Sequence, residues 1–455
     1  MTNVNVLPTP DDWPHLLLPT ATAGAEPAAG AEPANPADLD AAVKAGAFAG
    51  LTEAIRDMTA GEIVAALAKS GLRGRGGAGF PTSEKWRACA LTQADRHYVV
   101  VHAYQADPAV FTERVLLERN PYAVLEGAVI AAVAVGASEI VVALRAEATE
   151  AIAVLEAAIA EAQYAGYLGE DVMGSGRDIR VEVKPLQGAY MLGEETVLLK
   201  GIEGKRGQPK QQPPYPATRG LYGRPTLVHN PQTFAVIPGI ITGGPGTYSA
   251  AGPAQGQGTV LVQISGSVAN PGLAEVPLGT PLDEILALAG GVPAPHTLKA
   301  LLVGGPSGGI LPPDAEKIAY QFEALEAAGA QMGSGSIVVV DERSCLVDLA
   351  SALTRFCADQ ACGKTIPCRI GLRRLAEIGA RICEGQPRDD EIVRLTDLSA
   401  DIVASRLCDH EGRSTLPLLS IVRYFRDELD AHILRSTCPA GICQPMATSR
   451  AGAVS

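Results

Sequence analysis

Eight of the nine cysteines lie in the last third of this 455-residue chain, and this clustering restricts the fold more than any other feature. Because disulfides are rare in large proteins without a secretory signal, clustered cysteines indicate ligation of a metal ion or an iron–sulfur cluster. Core packing is the alternative for any single thiol, and we assign Cys89 and Cys345 to it. The clustered cysteines are Cys345, Cys357, Cys362, Cys368, Cys383, Cys408, Cys438 and Cys443.

The charge balance excludes several classes of function. The 37 basic and 50 acidic residues give a net charge of −13, which disfavours binding to nucleic acid or to an anionic membrane. With 49 Gly and 33 Pro, the chain is too interrupted for a coiled coil. The apolar stretch 128–140 is too short to span a bilayer and contains Glu139. Since Asp11 and Asp12 stand where a basic signal segment would lie, we expect a cytoplasmic protein with no direct membrane span.

The first half of the chain predicts a lead-in and an α/β domain. Residues 1–38 are rich in Pro, Ala and Gly, and they contain the sequence AGAEPA twice, which predicts a disordered lead-in. Helical and apolar strand patterns alternate over 39–245, with strands expected at 97–103 and 139–145. This alternation predicts an α/β domain built on a mostly parallel sheet.

The second half predicts two smaller domains and a tail. A Gly/Pro/Gln-rich linker at 245–258 changes the composition. Short apolar strands on either side of one helix then predict a β-grasp-like module over 258–333. The pattern over 334–435 opens with a strand and is otherwise helical, which predicts an all-α domain of four helices. Residues 436–455 form a cysteine-containing tail.

A glycine-rich segment, SGLRGRGGAGFPTSEKW at 70–86, is the strongest candidate for binding an anion. Glycines let backbone N–H groups approach a ligand, and the arginines and Lys85 supply charge for a phosphate. The segment follows a helix rather than a strand, which disfavours the common dinucleotide-binding turn. A glycine-rich surface loop is the alternative interpretation.

Three other segments offer polar or aromatic groups for a cofactor. Glu194 and Glu195, in GAYMLGEET at 188–196, could contact ribose hydroxyls or form a solvated acidic turn. Tyr215 could stack on a base or pack in the protein interior. The sequence VHNPQT at 228–233 offers hydroxyl and amide donors.

Three cysteines have a spacing that suggests an iron–sulfur cluster. Cys362 and Cys368 are six residues apart, and Cys408 follows forty residues later. Three thiolates can hold three irons of a cubane. A cysteine at position 365 would complete the C-x2-C-x2-C pattern, but this position is Thr365.

A second group of ligand-type residues lies at the end of the chain. Cys438 and Cys443 enclose a Pro and a Gly, which permit the tight loop that a metal site needs. Together with His432, and with Cys383 as a fourth ligand, they could form a tetrahedral zinc site. The alternative is that the two cysteines are the remnant of a ferredoxin extension.

Taken together, these segments resemble the flavin-bearing (51 kDa-type) subunit of NADH:quinone oxidoreductase, and more closely its relatives in bidirectional hydrogenases and NAD-linked formate dehydrogenases. The resemblance covers about residues 40–443. It implies FMN over the glycine-rich loop, NADH stacked on the flavin, and a [4Fe-4S] cluster in the C-terminal helices. The matching motifs are 70–86, GEET at 193–196, PPYPAT and GLYGRPT within 213–226, GSVANPG at 266–272, and RYFRDELDAHI at 423–433.

The resemblance also assigns roles to individual residues. It places Gly74, Arg75, Gly76 and Lys85 on the FMN, with Asn230 and Thr233 on its phosphate side. It places Gly77, Phe80, Tyr190, Glu194, Glu195 and Tyr215 around the NADH pocket. It implies that Asp107 and Glu194 are catalytic, that Cys362, Cys368 and Cys408 are cluster ligands, and that His432, Cys438 and Cys443 belong to the zinc site.

The chain departs from the family pattern in three respects, one of which is that no thioredoxin-like [2Fe-2S] segment is recognised in it, so that a separate partner is expected to supply this function. Where the family has Asn-Ala-Asp-Glu-Ser-Glu-Pro-Gly, this chain has HAYQADPA at 102–109, so that Tyr104 could crowd the isoalloxazine and Asp107 replaces a Glu. Thr365 replaces a cluster cysteine, and a hydroxyl is a poor iron ligand at neutral pH. Three alternatives remain open: Cys357 supplies the ligand, the cluster has three cysteines and a labile iron, or no cluster forms.

The resemblance implies an FMN-dependent, NADH-oxidising electron-input subunit of a multisubunit oxidoreductase, which passes single electrons to iron–sulfur carriers. The alternative is a degenerate member that acts as a scaffold or as a flavin relay without NADH activity. The implied partners are a thioredoxin-like [2Fe-2S] subunit and a larger iron–sulfur or catalytic subunit. The complex would be cytoplasmic or peripheral to a membrane.

Overall fold

The computed structural model describes residues 4–18, 35–252 and 257–443. Its first part is a four-stranded, fully parallel sheet of order β3-β2-β1-β4 with helices packed against it. Its elements are α1 (Leu39–Lys44), α2 (Ala49–Arg56), α3 (Ala60–Ser70), α4 (Thr82–Leu91), β1 (Tyr98–Ala103), α5 (Thr112–Arg119), α6 (Pro121–Val135), β2 (Glu139–Arg145), α7 (Thr149–Tyr164), β3 (Arg180–Leu186), α8 (Glu195–Ile202), α9 (Pro216–Arg219), β4 (Thr226–His229), α10 (Pro231–Ala235), α11 (Ile237–Gly243) and α12 (Pro245–Ser249), with 3₁₀ turns at Val172–Gly174, Tyr190–Gly193 and Leu221–Gly223.

The sequence explains why this sheet is parallel and buried. The strands β1 (YVVVHA) and β2 (EIVVALR) are continuous apolar runs, as expected for strands covered on both faces. Helix α6 is Ala/Val-rich and almost wholly buried. A capping box between Thr59 and Glu62 begins α3, and Gly71 at φ +67° ends it. The structure confirms the predicted mixed α/β fold.

The second part is a five-stranded sheet of order β6-β5-β9-β7-β8. Strand β9 lies in its middle, parallel to β5 and antiparallel to β7. The module therefore extends beyond residue 333, where we expected it to end, because its central strand is the last in sequence. Its elements are β5 (Thr259–Gly266), β6 (Gly272–Pro277), α13 (Leu282–Leu288), β7 (Leu298–Val303), β8 (Gly309–Leu311), a 3₁₀ turn (Pro313–Lys317), α14 (Phe322–Ala327) and β9 (Ser336–Asp341).

The third part consists of helices that pack on the second sheet. Ala300 and Leu302 of β7 share a buried cluster with Leu346, Leu375 and Leu418 of the helices. Within the described residues, no helix is long and apolar enough to cross a membrane. The elements are α15 (Leu346–Gln360), a π-helical turn (Pro367–Leu372), α16 (Arg373–Cys383), α17 (Glu391–Ala404), α18 (Asp409–Arg413), α19 (Leu416–Tyr424) and α20 (Arg426–Arg435).

The lead-in is ordered over 4–18, which contradicts the expected disorder of 1–38 for these residues. The Leu7 N–H donates to the Leu273 carbonyl at 2.8 Å. The backbone N–H groups of 16–18 donate to the buried Glu275 carboxylate at 2.6–3.0 Å. Composition predicted disorder here because it does not reveal contacts between distant residues. The carboxylate that binds 16–18 is 257 residues or more away in sequence. The AGAEPA repeats, at 23–34, lie outside the described residues.

We expect Glu275→Gln to loosen this N-terminal segment. The amide can accept through one oxygen only, whereas Glu275 accepts from three backbone N–H groups and from Thr259 Oγ1. The free energy of unfolding in urea should fall by about 1–2 kcal/mol, and chymotrypsin should cut within 4–18 more readily. Glu284→Gln, on α13, is the control. An unchanged cleavage rate would contradict the anchoring role.

Candidate functional site

A cavity of about 840 Å³ lies where the three parts meet. Residues at the carboxyl ends of the neighbouring parallel strands β1 and β4 line it, as expected for a ligand site in an α/β sheet. Loops of the second module and the start of α18 complete its wall. The volume lies within the range that small-molecule cofactor sites occupy.

The glycine-rich loop forms one wall of the cavity. The Gly74 N–H donates to the Phe80 carbonyl at 2.9 Å, and an isolated bridge joins Arg73 to Pro81, so the chain doubles back on itself. Gly74 and Gly76 line the cavity. Gly77 has φ +106°, and a Cβ there would lie 2.9 Å from the Gly333 carbonyl oxygen. Glycine is required here because the loop packs directly against the second module.

Three residues that we expected to contact the cofactors do not line the cavity. The Arg75 guanidinium is buried and donates to the carbonyls of Arg73, Gln257 and Thr259 and to the Tyr248 hydroxyl. Thr233 is buried and accepts from the Arg75 N–H at 2.9 Å. Gly77 faces the second module. These residues join the first two parts of the protein, and their contact with the cofactors stays a prediction.

An ion pair and two exposed aromatic rings also line the cavity. Lys85, in the first turn of α4, lies 2.8 Å from a Glu195 carboxylate oxygen. The Glu194 carboxylate caps α8 by accepting from the Val197 N–H at 2.8 Å, and burial raises its pKa. Phe80 and Tyr215 line the cavity although they are 51% and 57% exposed. Lys85, Glu194, Glu195, Phe80 and Tyr215 therefore lie together, as the sequence predicted.

The segment 102–109, where the sequence departs from the family pattern, places its side chains in different surroundings. The Tyr104 ring is buried away from the cavity, in a cluster with Leu186 and Leu192, so it does not crowd a ligand there. His102 lines the cavity, and its Nε2 lies 3.0 Å from the Gly193 carbonyl oxygen. Asp107 also lines the cavity, and its Oδ2 has no hydrogen-bond partner in the described protein.

We expect Asp107→Asn to stabilise the protein at neutral pH. Burial raises the pKa of Asp107 to about 6, so the folded state holds its proton more tightly than the unfolded state, whose Asp pKa is about 3.9. The contribution of this carboxyl group to the free energy of unfolding is fully present below pH ~4 and is lost as the pH rises through about 6. At pH 7.5 the variant should gain about 2 kcal/mol in the free energy of unfolding, and at pH 4 nothing. An equal gain at both pH values would contradict this assignment.

The cavity also contains residues that sequence reasoning missed. The buried Glu113 accepts from Asn230 Nδ2 at 2.7 Å, which fixes Asn230 at the end of β4. The His410 ring packs edge-on against Tyr190 at 5.8 Å, and Tyr190 Oη lies 3.2 Å from Ser307 Oγ. No local motif signalled these residues, since they come from three separate parts of the chain. The missed lining residues include Gln105, Glu113, Lys210, Ser307, Gln331, His410 and Arg413.

The three predicted cluster cysteines converge beside this cavity, and Cys408 lines it. Burial, together with the charges of Glu411, Cys408 and Cys362, raises the pKa of Cys368 to about 12. In a polynuclear cluster each thiolate binds a different iron.

A tighter group forms at the other end of the helices. The ligand atoms of Cys345, His432, Cys438 and Cys443 lie within 4.8 Å of one another, and all four residues are buried. The Cys345 Sγ lies 3.6 Å from Cys443 Sγ and 3.4 Å from His432 Nε2. Two thiolates on one tetrahedral zinc, with bonds of about 2.3 Å, stand about 3.8 Å apart. These separations fit a single ion.

This geometry corrects the ligand set expected from the sequence. Cys345, which we assigned to core packing, supplies the fourth ligand atom in place of Cys383. Cys383 groups instead with the exposed Asp348 and with Cys443. The His432 Nδ1 donates to the Glu428 carbonyl at 2.8 Å, which leaves Nε2 free for a metal. Cys89 is buried, and burial raises its pKa to about 12, in agreement with a packing role.

The residues around the cavity fit FMN and a nicotinamide cofactor. Asp107 lines the cavity and its buried Oδ2 has no hydrogen-bond partner in the described protein, the loop carries glycines where backbone must approach a ligand, and Lys85 supplies a cation. Exposed Phe80 and Tyr215 offer faces on which an aromatic ring can stack. This donor set matches a flat, anionic, aromatic molecule.

Comparison with known proteins supports the same conclusion. The family described as "Nuo51 FMN-binding domain" matches residues 67–239, the SLBB domain matches 261–311, and the "NADH-ubiquinone oxidoreductase-F iron-sulfur binding region" matches 348–432. The chain is 41% identical over 415 residues to the NADP-reducing hydrogenase subunit HndC of Solidesulfovibrio fructosivorans, covering 91% of this chain and 84% of that protein. It is 37% identical to an F-type subunit of the NADH-quinone oxidoreductase of Rhizobium meliloti, covering 87% and 94%.

A solved structure shares the fold. The chain superposes on a chain of an NAD⁺-reducing [NiFe]-hydrogenase in the H₂-reduced state with a TM-score of 0.75 and 34% identity, over 84% of this chain. It spans 63% of the length of that hydrogenase chain. From its sequence motifs, its three matched domains and these relatives, the chain belongs to the family of flavin-binding (51 kDa-type) electron-input subunits of NADH-quinone oxidoreductases and NAD(P)-linked hydrogenases.

Proposed function

We propose that this chain oxidises NADH through FMN and passes single electrons to iron–sulfur carriers of a multisubunit complex. The observation that carries the proposal is one cavity in which a glycine loop, the Lys85–Glu195 pair and two exposed aromatic rings lie beside Cys408. The proposed nucleotide site and a proposed cluster ligand, Cys408, therefore line the same cavity. When bound, FMN supplies the conversion between a two-electron hydride donor and one-electron carriers.

The protein's own residues bind and orient the two cofactors. Gly74 and Gly76 leave room for close approach to the flavin, and Lys85 neutralises negative charge on the phosphate. Phe80 and Tyr215 offer stacking surfaces for the rings of NADH. Glu195, paired with Lys85, can accept from ribose hydroxyls.

Two carboxyl groups have the environment that the chemistry requires. The buried Asp107 lines the cavity and burial raises its pKa, so its carboxyl group can hold a hydrogen bond to the nicotinamide amide. Glu194 is fixed by its cap on α8, with an orientation that does not depend on the ligand. Cys362, Cys368 and Cys408 would hold the [4Fe-4S] cluster, which would supply one-electron chemistry at this end of the cavity.

The second metal site is structural in this proposal. A zinc ion held by Cys345, His432, Cys438 and Cys443 ties the end of the chain to α15 and α20. All four ligands come from protein and are buried, which is typical of closed structural sites.

The partners follow from the direction of electron transfer. A thioredoxin-like [2Fe-2S] subunit and a larger iron–sulfur or catalytic subunit would accept electrons from this chain in the cytoplasm, in a complex that is free or peripheral to a membrane. Its relatives include subunits of NADH-quinone oxidoreductases and of a hydrogenase, which are such assemblies.

An absorption spectrum tests the function. We expect anaerobically purified protein, reconstituted with FMN, iron and sulfide, to show a flavin band that bleaches when NADH or NADPH is added. A flavin band that neither nucleotide bleaches would contradict the electron-input role and favour a flavin relay with another donor. No bound flavin at all would leave a scaffold subunit.

A further inference from the structure

The position that lacks a cluster cysteine is paired with a buried carboxylate. Thr365 Oγ1 donates a hydrogen bond to Glu411 Oε1 at 2.5 Å, and the Leu407 N–H donates to the other oxygen at 2.7 Å. Glu411 is only 2% exposed. No Lys or Arg is among its partners in the described hydrogen bonds and ion pairs, so this buried carboxyl group has no cation partner there.

The same carboxylate lies against the cluster cysteines. Thr365 begins the helical turn that carries Cys368, since the Arg369 N–H donates to the Thr365 carbonyl at 3.0 Å. Glu411 is three residues after Cys408, on the short helix α18 that follows it. Two thiols and one carboxylate thus converge with Thr365, which occupies the place of the missing cysteine.

We propose that the Glu411 carboxylate, oriented by Thr365, is the protein ligand of the cluster iron that lacks a cysteine. The inference rests on the proposed role of Cys362, Cys368 and Cys408 as cluster ligands. A carboxylate binds iron through an anionic oxygen, whereas the Thr365 hydroxyl would first have to lose its proton. A cationic iron also neutralises the buried charge, and the two hydrogen bonds hold the carboxylate in place as outer partners of a metal ligand do.

Cys357 is the competing candidate. It is buried on α15. Its Sγ donates to the Pro306 carbonyl at 3.6 Å. That acceptor lies in the second module, so the thiol has a partner outside the cysteine group.

Iron counting and electron paramagnetic resonance test the proposal on full-length protein reconstituted anaerobically with iron and sulfide. Wild type should hold about four cluster irons, one of which ferricyanide removes to give a [3Fe-4S] signal, since an oxygen ligand holds iron less firmly than a thiolate. Glu411→Gln should hold about three before any ferricyanide is added. The matched control Cys357→Ser should behave as wild type.

A rescue variant separates loss of a ligand from loss of the local fold. Adding Thr365→Cys to Glu411→Gln should restore about four irons and make them resistant to ferricyanide. Four irons in Glu411→Gln alone, or a loss in Cys357→Ser instead, would overturn the proposal. A wild type that binds no cluster would overturn it too, and the NADH bleaching of the flavin, measured on the same sample, shows separately whether the proposed function survives.

Discussion

Cys345→Ser is expected to abolish binding of one zinc ion per chain and to lower the free energy of unfolding by more than about 4 kcal/mol. Cys345 Sγ is within 3.6 Å of both Cys443 Sγ and His432 Nε2, so its loss opens the tetrahedral site. The remaining thiols would stay buried with no metal to bind. Zinc analysis by mass spectrometry and thermal unfolding monitored by circular dichroism measure the two effects.

Cys383→Ser is the matched control for this prediction. Cys383 lies next to Cys443 but outside the group of four, so this variant should keep its zinc and most of its stability. Zinc retained in Cys345→Ser and lost in Cys383→Ser would show that the ligand set expected from the sequence is the correct one. If neither the two variants nor wild type contains zinc, the proposed zinc site does not exist.

Lys85→Met is expected to weaken FMN binding about 100-fold, because a charge-assisted hydrogen bond to a phosphate contributes about 1.5–3 kcal/mol. Methionine keeps the length and apolar stem of lysine but leaves Glu195 without its cation partner, so unpaired negative charge would face the ligand. A fluorescence titration of FMN with the apoprotein measures the dissociation constant. If high salt weakens FMN binding to wild type but not to Lys85→Met, the difference between them is an effect of charge.

Arg87→Met tests whether the effect is specific. Arg87 is on the same helix, but it is half exposed and pairs with Glu84 on the surface. It does not line the cavity, so its substitution should leave FMN affinity unchanged. If the two variants and wild type bind FMN with equal affinity, the phosphate would instead be assigned to Lys210 or Arg413, the other cations that line the cavity.

Local patterns predicted two of the four strands of the first part. The strand expected at 139–145 is β2, and the strand expected at 97–103 is β1 within one residue. The glycine-rich segment predicted a ligand-binding loop, and Gly74, Gly76 and Lys85 do line the cavity. These predictions succeeded because hydrophobic period and glycine placement act on neighbouring residues.

These local patterns did not predict the direction in which a side chain points. Arg75 and Gly76 are neighbours in the loop, yet Gly76 lines the cavity while the Arg75 side chain is buried against Tyr248, 173 residues away. Tyr104, expected near the flavin, turns into a core cluster instead. The sequence motif does not distinguish a charge that binds a ligand from one that joins two parts of the protein.

The sequence alone therefore determined the family, the α/β order of the first part and the residue types of both metal sites. Only the tertiary structure decided which residues meet: Cys345 with Cys443 across 98 residues, and Thr365 with Glu411 across 46. The physical reason is that backbone propensity and burial period are local properties, whereas a metal site or an ion pair depends on how distant elements pack.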